Sequence, residues 1–210
     1  MNATHRYRLI VPLVMLLTAT LSAVSADSLK VALKARYAAG LPYQLTFRIS
    51  EGSEQGRPGA VTEGSFSRAR DGRCRIELPD QRILFDGQWL WSYDRVTRQL
   101  IVEPFVRGSA LDVVMELLEG RWETFNLVAQ ENDQETGWRQ FRLRPAAPPD
   151  WIEAVIVATD RTGCVRRVQI HDARTTLTRF DLTCPQPSDT SAADFDPRLW
   201  PVDELIDLRE

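Results

Sequence analysis

Alternating apolar and polar residues recur along most of the chain and predict a large antiparallel sheet. From Tyr43 to Ser50, every second side chain is apolar, which is typical of a strand with one buried face. Similar short runs follow, and turn pairs such as Asp71-Gly72 and Asp86-Gly87 separate them. The further strands predicted in this way cover residues 62–69, 74–78, 83–85, 88–93, 100–102, 124–129, 138–143, 152–158, 164–170 and 176–182.

Two stretches have helical signals instead. Asp27-Ser28 can cap a helix over residues 29–39, and Gly40 would end it. The second predicted helix covers residues 108–118, and its apolar residues share one face: Leu111, Val114, Met115 and Leu118. After Pro185 the pattern predicts an irregular acidic tail. A large curved sheet with two covering helices gives an α+β domain, in which the helices leave a void over the sheet or the sheet closes on itself.

The first 26 residues have the composition of a secretory signal. A basic start precedes an apolar run over residues 9–17, and small residues end at Ala26. Cleavage after Ala26 would leave residues 27–210 as one soluble domain outside the cytoplasm. The alternative is an uncleaved membrane anchor, although the run is shorter than the about 20 residues that a transmembrane helix needs. Because the first cysteine is Cys74, we expect no lipid-modified amino terminus.

The charge balance argues against a nucleic-acid partner. Without residues 1–26 the chain keeps 24 basic residues against 29 acidic residues, whereas a binder of phosphate backbones needs the opposite excess. The remaining 184 residues suit one domain with a substantial core.

The positions of the three cysteines predict one disulfide. If residues 165–170 and 176–182 pair in a register whose residue numbers add to about 346, Cys164 and Cys184 lie almost opposite each other. A disulfide between them is then geometrically plausible, and a register error of two residues would remove it. Cys74 would stay a buried thiol. A zinc site is a poor alternative, because the chain after residue 26 has one histidine and no CxxC spacing.

Catalytic and cofactor motifs are missing from the sequence. It contains no GxSxG, HExxH, P-loop or glycine-rich dinucleotide motif. His171-Asp172 is the histidine–carboxylate pair after residue 26, and its place at a predicted hairpin turn favours a structural role. We therefore expect no enzyme, no cofactor and no metal. A catalytic site assembled from distant loops is the alternative, which motifs do not test.

Three aromatic rings alternate along one predicted strand. In DGQWLWSYD, residues 86–94, the side chains of Trp89, Trp91 and Tyr93 would leave the backbone on one face. Such a stripe can fill a core or line a ligand cavity, and we expect it to be partly core and to border an apolar cavity. The other residues expected around that cavity are Phe47, Phe66, Leu111 and Met115.

Several short motifs occur in a recognisable order. They are, along the chain, Gly64-Ser65-Phe66 with Arg70 after it, Pro79, ILFDGQWLWSYD at residues 83–94, Gln99-Leu100, F-x-L-x-P at residues 141–145, and a D-x-x-G hairpin at residues 160–170. Over nearly all of the chain after residue 26, this order resembles the LolA-like family of periplasmic outer-membrane lipoprotein carriers.

The resemblance implies a fold and a function. The fold would be an incomplete antiparallel β-barrel with a helical lid over an apolar cavity. The protein would be a monomeric periplasmic carrier that shields the acyl chains of lipoproteins, or of another lipid, between the inner and the outer membrane. Its partners would be an ATP-driven lipoprotein-releasing complex of the inner membrane and an outer-membrane acceptor.

The resemblance also gives individual residues a role. Arg70 matches the strand-end arginine that holds the lid closed, here through carbonyl groups of residues 108–118, and the alternative is an exposed arginine at a turn. Asp71 replaces the usual proline and could pair with Arg70. Arg68 lies on the predicted cavity face, where an apolar residue is usual. Trp89 stands where a smaller residue is common and implies a narrower cavity.

Two other classes of function stay open. A related half-barrel could be a binding or sensing module for lipid or for an envelope protein partner, without a carrier role. A hydrolase could use a cavity of the same shape. Co-purified acyl lipid would identify a carrier, an accessory domain would identify a module, and a nucleophile within reach of a base would identify a hydrolase.

Overall fold

The computed structural model describes residues 37, 42–53, 59–105, 110–119, 121–146, 151–172 and 176–209. The predicted signal, residues 1–26, lies outside the described residues, as does the predicted first helix apart from Tyr37. Tyr37 is helical and only 1% exposed. Its hydroxyl accepts a hydrogen bond of 2.9 Å from the backbone N–H of Val165, so this residue is fixed against the sheet.

The described chain consists mainly of short strands. In chain order they are β1 (Tyr43–Ser53), β2 (Val61–Arg68), β3 (Cys74–Glu77), β4 (Gln81–Phe85), β5 (Trp89–Asp94), β6 (Gln99–Pro104), β7 (Phe125–Asn132), β8 (Arg139–Pro145), β9 (Ile152–Thr159), β10 (Val165–Asp172), β11 (Thr176–Leu182), β12 (Gln186–Pro187) and β13 (Glu204–Asp207). One helix of the described chain, α1 (Ala110–Leu118), lies between β6 and β7. Short 3₁₀ turns cover Trp122–Thr124, Ala192–Phe195 and Pro197–Leu199.

All of these strands belong to one sheet. Its order is β13-β6-β5-β4-β3-β2-β1-β11-β10-β9-β8-β7, with β12 paired to β1. Strands β1 to β6 and strands β7 to β11 form two antiparallel meanders, and β1 joins them by pairing with both β2 and β11. Only β13 runs parallel to its neighbour among the described pairings. The sheet is open between β13 and β7, which confirms the predicted fold class of an incomplete antiparallel barrel with a helix.

One face of the sheet packs against α1, and we call it the helix face. Its side chains alternate along each strand, as the pleat requires, and join the apolar residues of α1 in the larger of two core clusters. Val114 and Leu118 of the helix belong to this cluster together with Phe47, Phe66 and Val155 of the sheet. The amphipathic spacing along residues 108–118 thus predicts both the helix and its buried side.

Over β4 to β6 the opposite face is covered by the chain after Thr190, which we call the tail. Phe195 and Trp200 of the tail are buried against Leu84, Tyr93 and Leu100 in the second core cluster. Because Leu84 belongs to this cluster while its neighbours Ile83 and Phe85 pack on the first, the two clusters lie on opposite faces of β4. We call this second face the tail face.

The prediction of an irregular tail is therefore wrong in part. Ser191 caps the turn Ala192–Phe195 in a capping box with Asp194, and the side chain of Asp196 accepts a hydrogen bond from the backbone N–H of Arg198. Strand β13 then pairs with β6. Its side chains are mostly exposed, so the sequence contains no apolar period that would indicate a strand.

The hairpin of β10 and β11 has a register two residues away from the predicted one. Arg167 pairs with Asp181, so the paired numbers add to 348. Continuing this register places Cys164 directly opposite Cys184, and the two form a disulfide with Cα atoms 5.7 Å apart. His171 and Asp172 lie at the end of β10, not in the turn that their sequence suggests.

Candidate ligand-binding cavity

An apolar cavity lies between α1 and the helix face of the sheet. Its volume is about 250 Å³. Strands β1 to β4 and β11 form the floor, and one side of α1 forms the roof. The residues that close it include Phe47, Phe66, Ile76, Ile83, Phe180, Val114, Met115 and Leu118.

Gly64 shapes one wall of this cavity. A Cβ atom at this position would lie 2.6 Å from the ring of Phe47 and 2.6 Å from the backbone oxygen of Glu77. Only glycine therefore lets the Phe47 ring lie against β2 at its pairing position. The packing of Phe47 against β2 therefore requires the glycine that begins the motif Gly64-Ser65-Phe66.

Tyr43 ties the last turn of α1 to the sheet. Its hydroxyl donates a hydrogen bond of 2.7 Å to the backbone oxygen of Leu118. Burial, with Cys74 close by, raises the pKa of Tyr43 well above its ordinary value, so the hydroxyl stays a donor. The Phe66 ring lies 5.8 Å from the Tyr43 ring and connects this anchor to the cavity.

Arg70 does not have the expected role within the described chain. Strand β2 ends at Arg68, and Arg70 lies exposed in the turn that follows. It makes no hydrogen bond or ion pair with the described residues, which include residues 110–118 of the expected partner range 108–118. The bond from Tyr43 links this part of α1 to the sheet. Asp71 bonds to Arg73 instead, with 2.9 Å between the charged groups. The chain turns back towards β3 at Ala69, before Arg70 can reach the helix.

The aromatic stripe on β5 is on the wrong face for the cavity. Trp91 is paired with Leu84, so Trp89, Trp91 and Tyr93 lie on the tail face. The Tyr93 hydroxyl donates a 3.0 Å hydrogen bond to the backbone oxygen of Pro201. The Arg209 guanidinium lies over the rings of Trp89 and Trp91, at 5.8 and 5.4 Å. Tyr93 and Trp91 are partly core, as expected. The expectation that the stripe also borders the cavity is wrong, because the pleat puts Leu90 and Ser92 of β5 on the helix face.

Of the other four residues expected around the cavity, three line it and the side chain of the fourth is not described. Phe47, Phe66 and Met115 line the cavity. Leu111 lies within α1, but its side chain is outside the described part of the structure. Sequence reasoning missed the wall residues of neighbouring strands, among them Ile76, Ile83 and Phe180. Each occupies an alternating apolar position, and only the pairing of the strands tells which of these positions meet.

A polar group of side chains lies at the end of α1. Cys74 is 2% exposed, and its Sγ lies 3.9 Å from a carboxylate oxygen of Glu119. Burial, reinforced by the negative charge of Glu119, raises the pKa of the Cys74 thiol. Such a thiol stays protonated and unreactive. Arg68 pairs with Cys74 and Tyr43 across the strands and lies on the same face.

The described residues contain one group of close metal-ligand types, Asp160 with Cys164 and Cys184. Both sulfurs belong to the disulfide and are therefore not thiolate ligands. Asp160 instead orders the turn before β10. Burial alone would raise its pKa, but hydrogen bonds from Thr162 and from the backbone N–H of Cys164 outweigh burial and lower the pKa of Asp160.

Solved structures with the same fold come from several bacteria. An uncharacterised conserved protein from Thermus thermophilus superposes with a TM-score of 0.54 at 12% identity, over 88% of this chain and 99% of the other. A LolA superfamily protein from Nitrosomonas europaea gives a TM-score of 0.50 at 11% identity, over 84% and 99% of the two chains. At these identities the likeness concerns the fold alone.

Sequence comparison is more specific than structural comparison here. No curated protein matches the chain. No helix among the described residues is long and apolar enough to cross a membrane. The model of the outer membrane lipoprotein carrier protein LolA matches residues 44–197. This range includes the cavity walls of both meanders and the helix between them, and the chain belongs to the LolA family.

Proposed function

We propose that this protein is a periplasmic carrier that holds lipid acyl chains in the cavity under α1. The cargo would be the acyl chains of lipoproteins, or of another lipid, moved from the inner to the outer membrane. The observation that supports this proposal is the apolar lining of a cavity of about 250 Å³ between a helix and an open sheet. Membership of the LolA family supports the same cargo class.

The physical need for a carrier comes from hydration. Exposure of an acyl chain to water costs about 0.8 kcal/mol for each CH₂ group, so a long chain does not cross an aqueous compartment unprotected. An apolar cavity offsets this cost without specific contacts, because the hydrophobic effect has no direction. Export through the signal expected in residues 1–26 would place the protein in that compartment.

The size of the cavity implies that the helix moves. Pockets that hold small molecules usually begin at about 300 Å³, slightly above the 250 Å³ of this cavity. A long acyl chain therefore requires α1 to move away from β1 and β2. The hydrogen bond from Tyr43 to Leu118 holds the closed form, and its loss would be part of opening.

The proposal extends to the partners that a carrier needs. An ATP-driven lipoprotein-releasing complex of the inner membrane would deliver the cargo, and an outer-membrane acceptor would receive it. The carrier would work as a monomer. It would bind no nucleic acid, since its acidic residues outnumber its basic ones. We propose no enzymatic role.

Filling the cavity tests this function. In Met115→Trp the larger side chain would occupy the space under α1, and we expect a fluorescent acyl probe to bind about tenfold more weakly than to wild type. Val96→Trp is the matched control, because Val96 is 75% exposed in the turn after β5. Circular dichroism and a urea midpoint would verify that both variants fold.

Two results would contradict the carrier. Wild-type protein that binds no acyl probe, or Met115→Trp that binds it at full affinity, would argue for a partner-binding module with a filled core. Native mass spectrometry of protein purified gently from its own envelope gives an independent answer, since a carrier should arrive with a lipid or lipoprotein that denaturation releases.

A further inference from the structure

Arg68 is a cation on the apolar side of the sheet. It is the last residue of β2 and lies on the same face as Phe66, which lines the cavity. Two residues along a strand span roughly 7 Å, within the length of an arginine side chain. Tyr43 on β1 and Cys74 on β3 are its direct neighbours across the sheet, and both are buried.

The guanidinium of Arg68 has unused donors. Its Nε and one terminal nitrogen, NH1, are buried and have no hydrogen-bond partner among the described residues. Among the nearby groups, Tyr43 donates to Leu118 and Glu119 forms an ion pair of 3.0 Å with Arg121, and neither accepts a hydrogen bond from Nε or NH1 of Arg68. The guanidinium group is a cation with five N–H donors and no acceptor of its own.

Arg68 as a whole is partly buried, and the burial of its Nε and NH1 without acceptors is costly. Each unsatisfied buried donor destabilises a fold by about 1–3 kcal/mol, and a charged group by more. A neutral side chain of similar length would avoid that cost entirely. The arrangement is stabilised when an acceptor arrives from outside, and an anionic oxygen is the acceptor that a guanidinium binds most strongly.

We propose that Arg68 binds the anionic head group of the acyl ligand while the chain lies in the cavity. This inference rests on the proposed function and specifies its ligand: an acyl lipid with a carboxylate or a phosphate beside the chain. The head group would meet the Nε and NH1 donors of Arg68 at the end of α1, and the chain would run past Phe66 under Met115. A neutral ester or amide could use the donors but not the charge.

Three probes of equal chain length test the proposal: hexadecanol, palmitate and hexadecyl phosphate. Each would displace a neutral fluorescent probe at pH 8, below its micelle concentration. We expect wild type to bind at least one anion about tenfold or more tightly than hexadecanol, as a charge-assisted hydrogen bond predicts. A preference for palmitate would indicate a fatty acid, and a preference for hexadecyl phosphate would indicate a phospholipid head group.

Two variants separate the site from general charge. Arg68→Met keeps the length of the side chain and should bind all three probes with the affinity of hexadecanol. Arg70→Met removes an exposed arginine two residues away and should keep the preference of wild type. Without ligand, we expect Arg68→Met to unfold at a higher urea concentration than wild type, because it removes two buried donors that have no acceptor among the described residues.

Each outcome decides one of the two claims. If wild type binds all three probes equally, or if both variants lose the preference equally, the role of Arg68 is refuted and the carrier function stands. If wild type binds none of the probes, the carrier function fails and the role of Arg68 fails with it.

Discussion

Single residues set the local geometry, and Asp160 shows how a carboxylate fixes a turn in a way that depends on pH. One carboxylate oxygen accepts hydrogen bonds from the hydroxyl of Thr162 at 2.7 Å, from its backbone N–H at 2.8 Å and from the backbone N–H of Cys164 at 3.1 Å. These bonds fix the turn that aligns β9, β10 and the disulfide. They favour the ionised carboxylate, in agreement with its lowered pKa.

We expect Asp160→Asn to lower stability in a pH-dependent way. Because the folded-state pKa of Asp160 is lowered, its contribution is present above the unfolded value of about 3.9 and is lost as pH falls through the folded value. At pH 7 the variant should be less stable by up to about 1 kcal/mol, since Asp160 is only partly buried and water screens the charge. Urea midpoints at pH 7 and pH 2.5 would measure both values.

At pH 2.5 the urea midpoint of Asp160→Asn should approach that of wild type. Asp80→Asn is the control, because the exposed Asp80 side chain accepts no hydrogen bond from the described residues. An equal deficit of Asp160→Asn at both pH values would show that the loss is steric and unrelated to charge.

Residue-level predictions from the sequence succeeded where a pattern had one structural meaning. Phe47, Phe66 and Met115 line the cavity because strand alternation and helix spacing both define a buried side. Trp91 and Tyr93 were assigned to the cavity wrongly, since a sheet covered on both sides has two apolar faces. Ring size does not tell which face is which. Arg70 was misplaced because the end of β2 depends on a turn, not on a period.

At the level of elements, the hydrogen bond from Tyr43 to Leu118 ties α1 to the sheet beside the cavity. We expect Tyr43→Phe to remove the hydrogen bond to Leu118 and to lower the free energy of unfolding by about 0.5–1.5 kcal/mol. The same change destabilises the closed form, so the acyl probe should bind faster and with no loss of affinity. Stopped-flow fluorescence and urea unfolding would give the two quantities.

A different result for Tyr43→Phe would contradict this role of the hydroxyl. Slower or weaker probe binding would mean that the hydroxyl holds the open form or contacts the ligand. Tyr93→Phe is a matched control, because its hydroxyl bonds to Pro201 on the tail face. It should lose similar stability and leave the rate of probe binding unchanged.

Most elements could be predicted from the sequence, with two kinds of exception. The strands and α1 follow from alternation and from helical spacing, which local burial dictates. Strand β13 could not be predicted, since it is four residues long, mostly exposed, and exists through its pairing with β6. The register of β10 and β11 was off by two residues, because turn geometry sets a register and the apolar pattern is the same in steps of two.

For the whole molecule, the two faces of the sheet have different roles: one borders the cavity and the other packs against the tail. The helix face holds the cavity, and the tail face buries Trp200 against Tyr93, with 5.7 Å between ring centroids. Arg82 lies over the Trp200 ring at 5.1 Å. We therefore expect Trp200→Ala to lower the free energy of unfolding by about 3–5 kcal/mol without changing the affinity for an acyl probe.

A urea titration and a probe titration of Trp200→Ala measure the two effects separately. Leu199→Ala is the neighbouring control, since Leu199 is 66% exposed and should change neither quantity. Weaker probe binding by folded Trp200→Ala would mean that the two faces are coupled through the sheet.

The pairing of β1 with β11 has a consequence for how the protein folds. Phe47 and Leu182 are partners in the sheet and stand 135 positions apart along the chain. Each meander can form from local hairpins, but a pairing at this distance must close a long loop first, and folding slows as such separations grow. Because β1, β2 and β11 all contribute to the floor of the cavity, we expect the cavity to form only with this long-range pairing. In the carrier function proposed above, a newly made chain would become able to accept cargo only when its two halves have met.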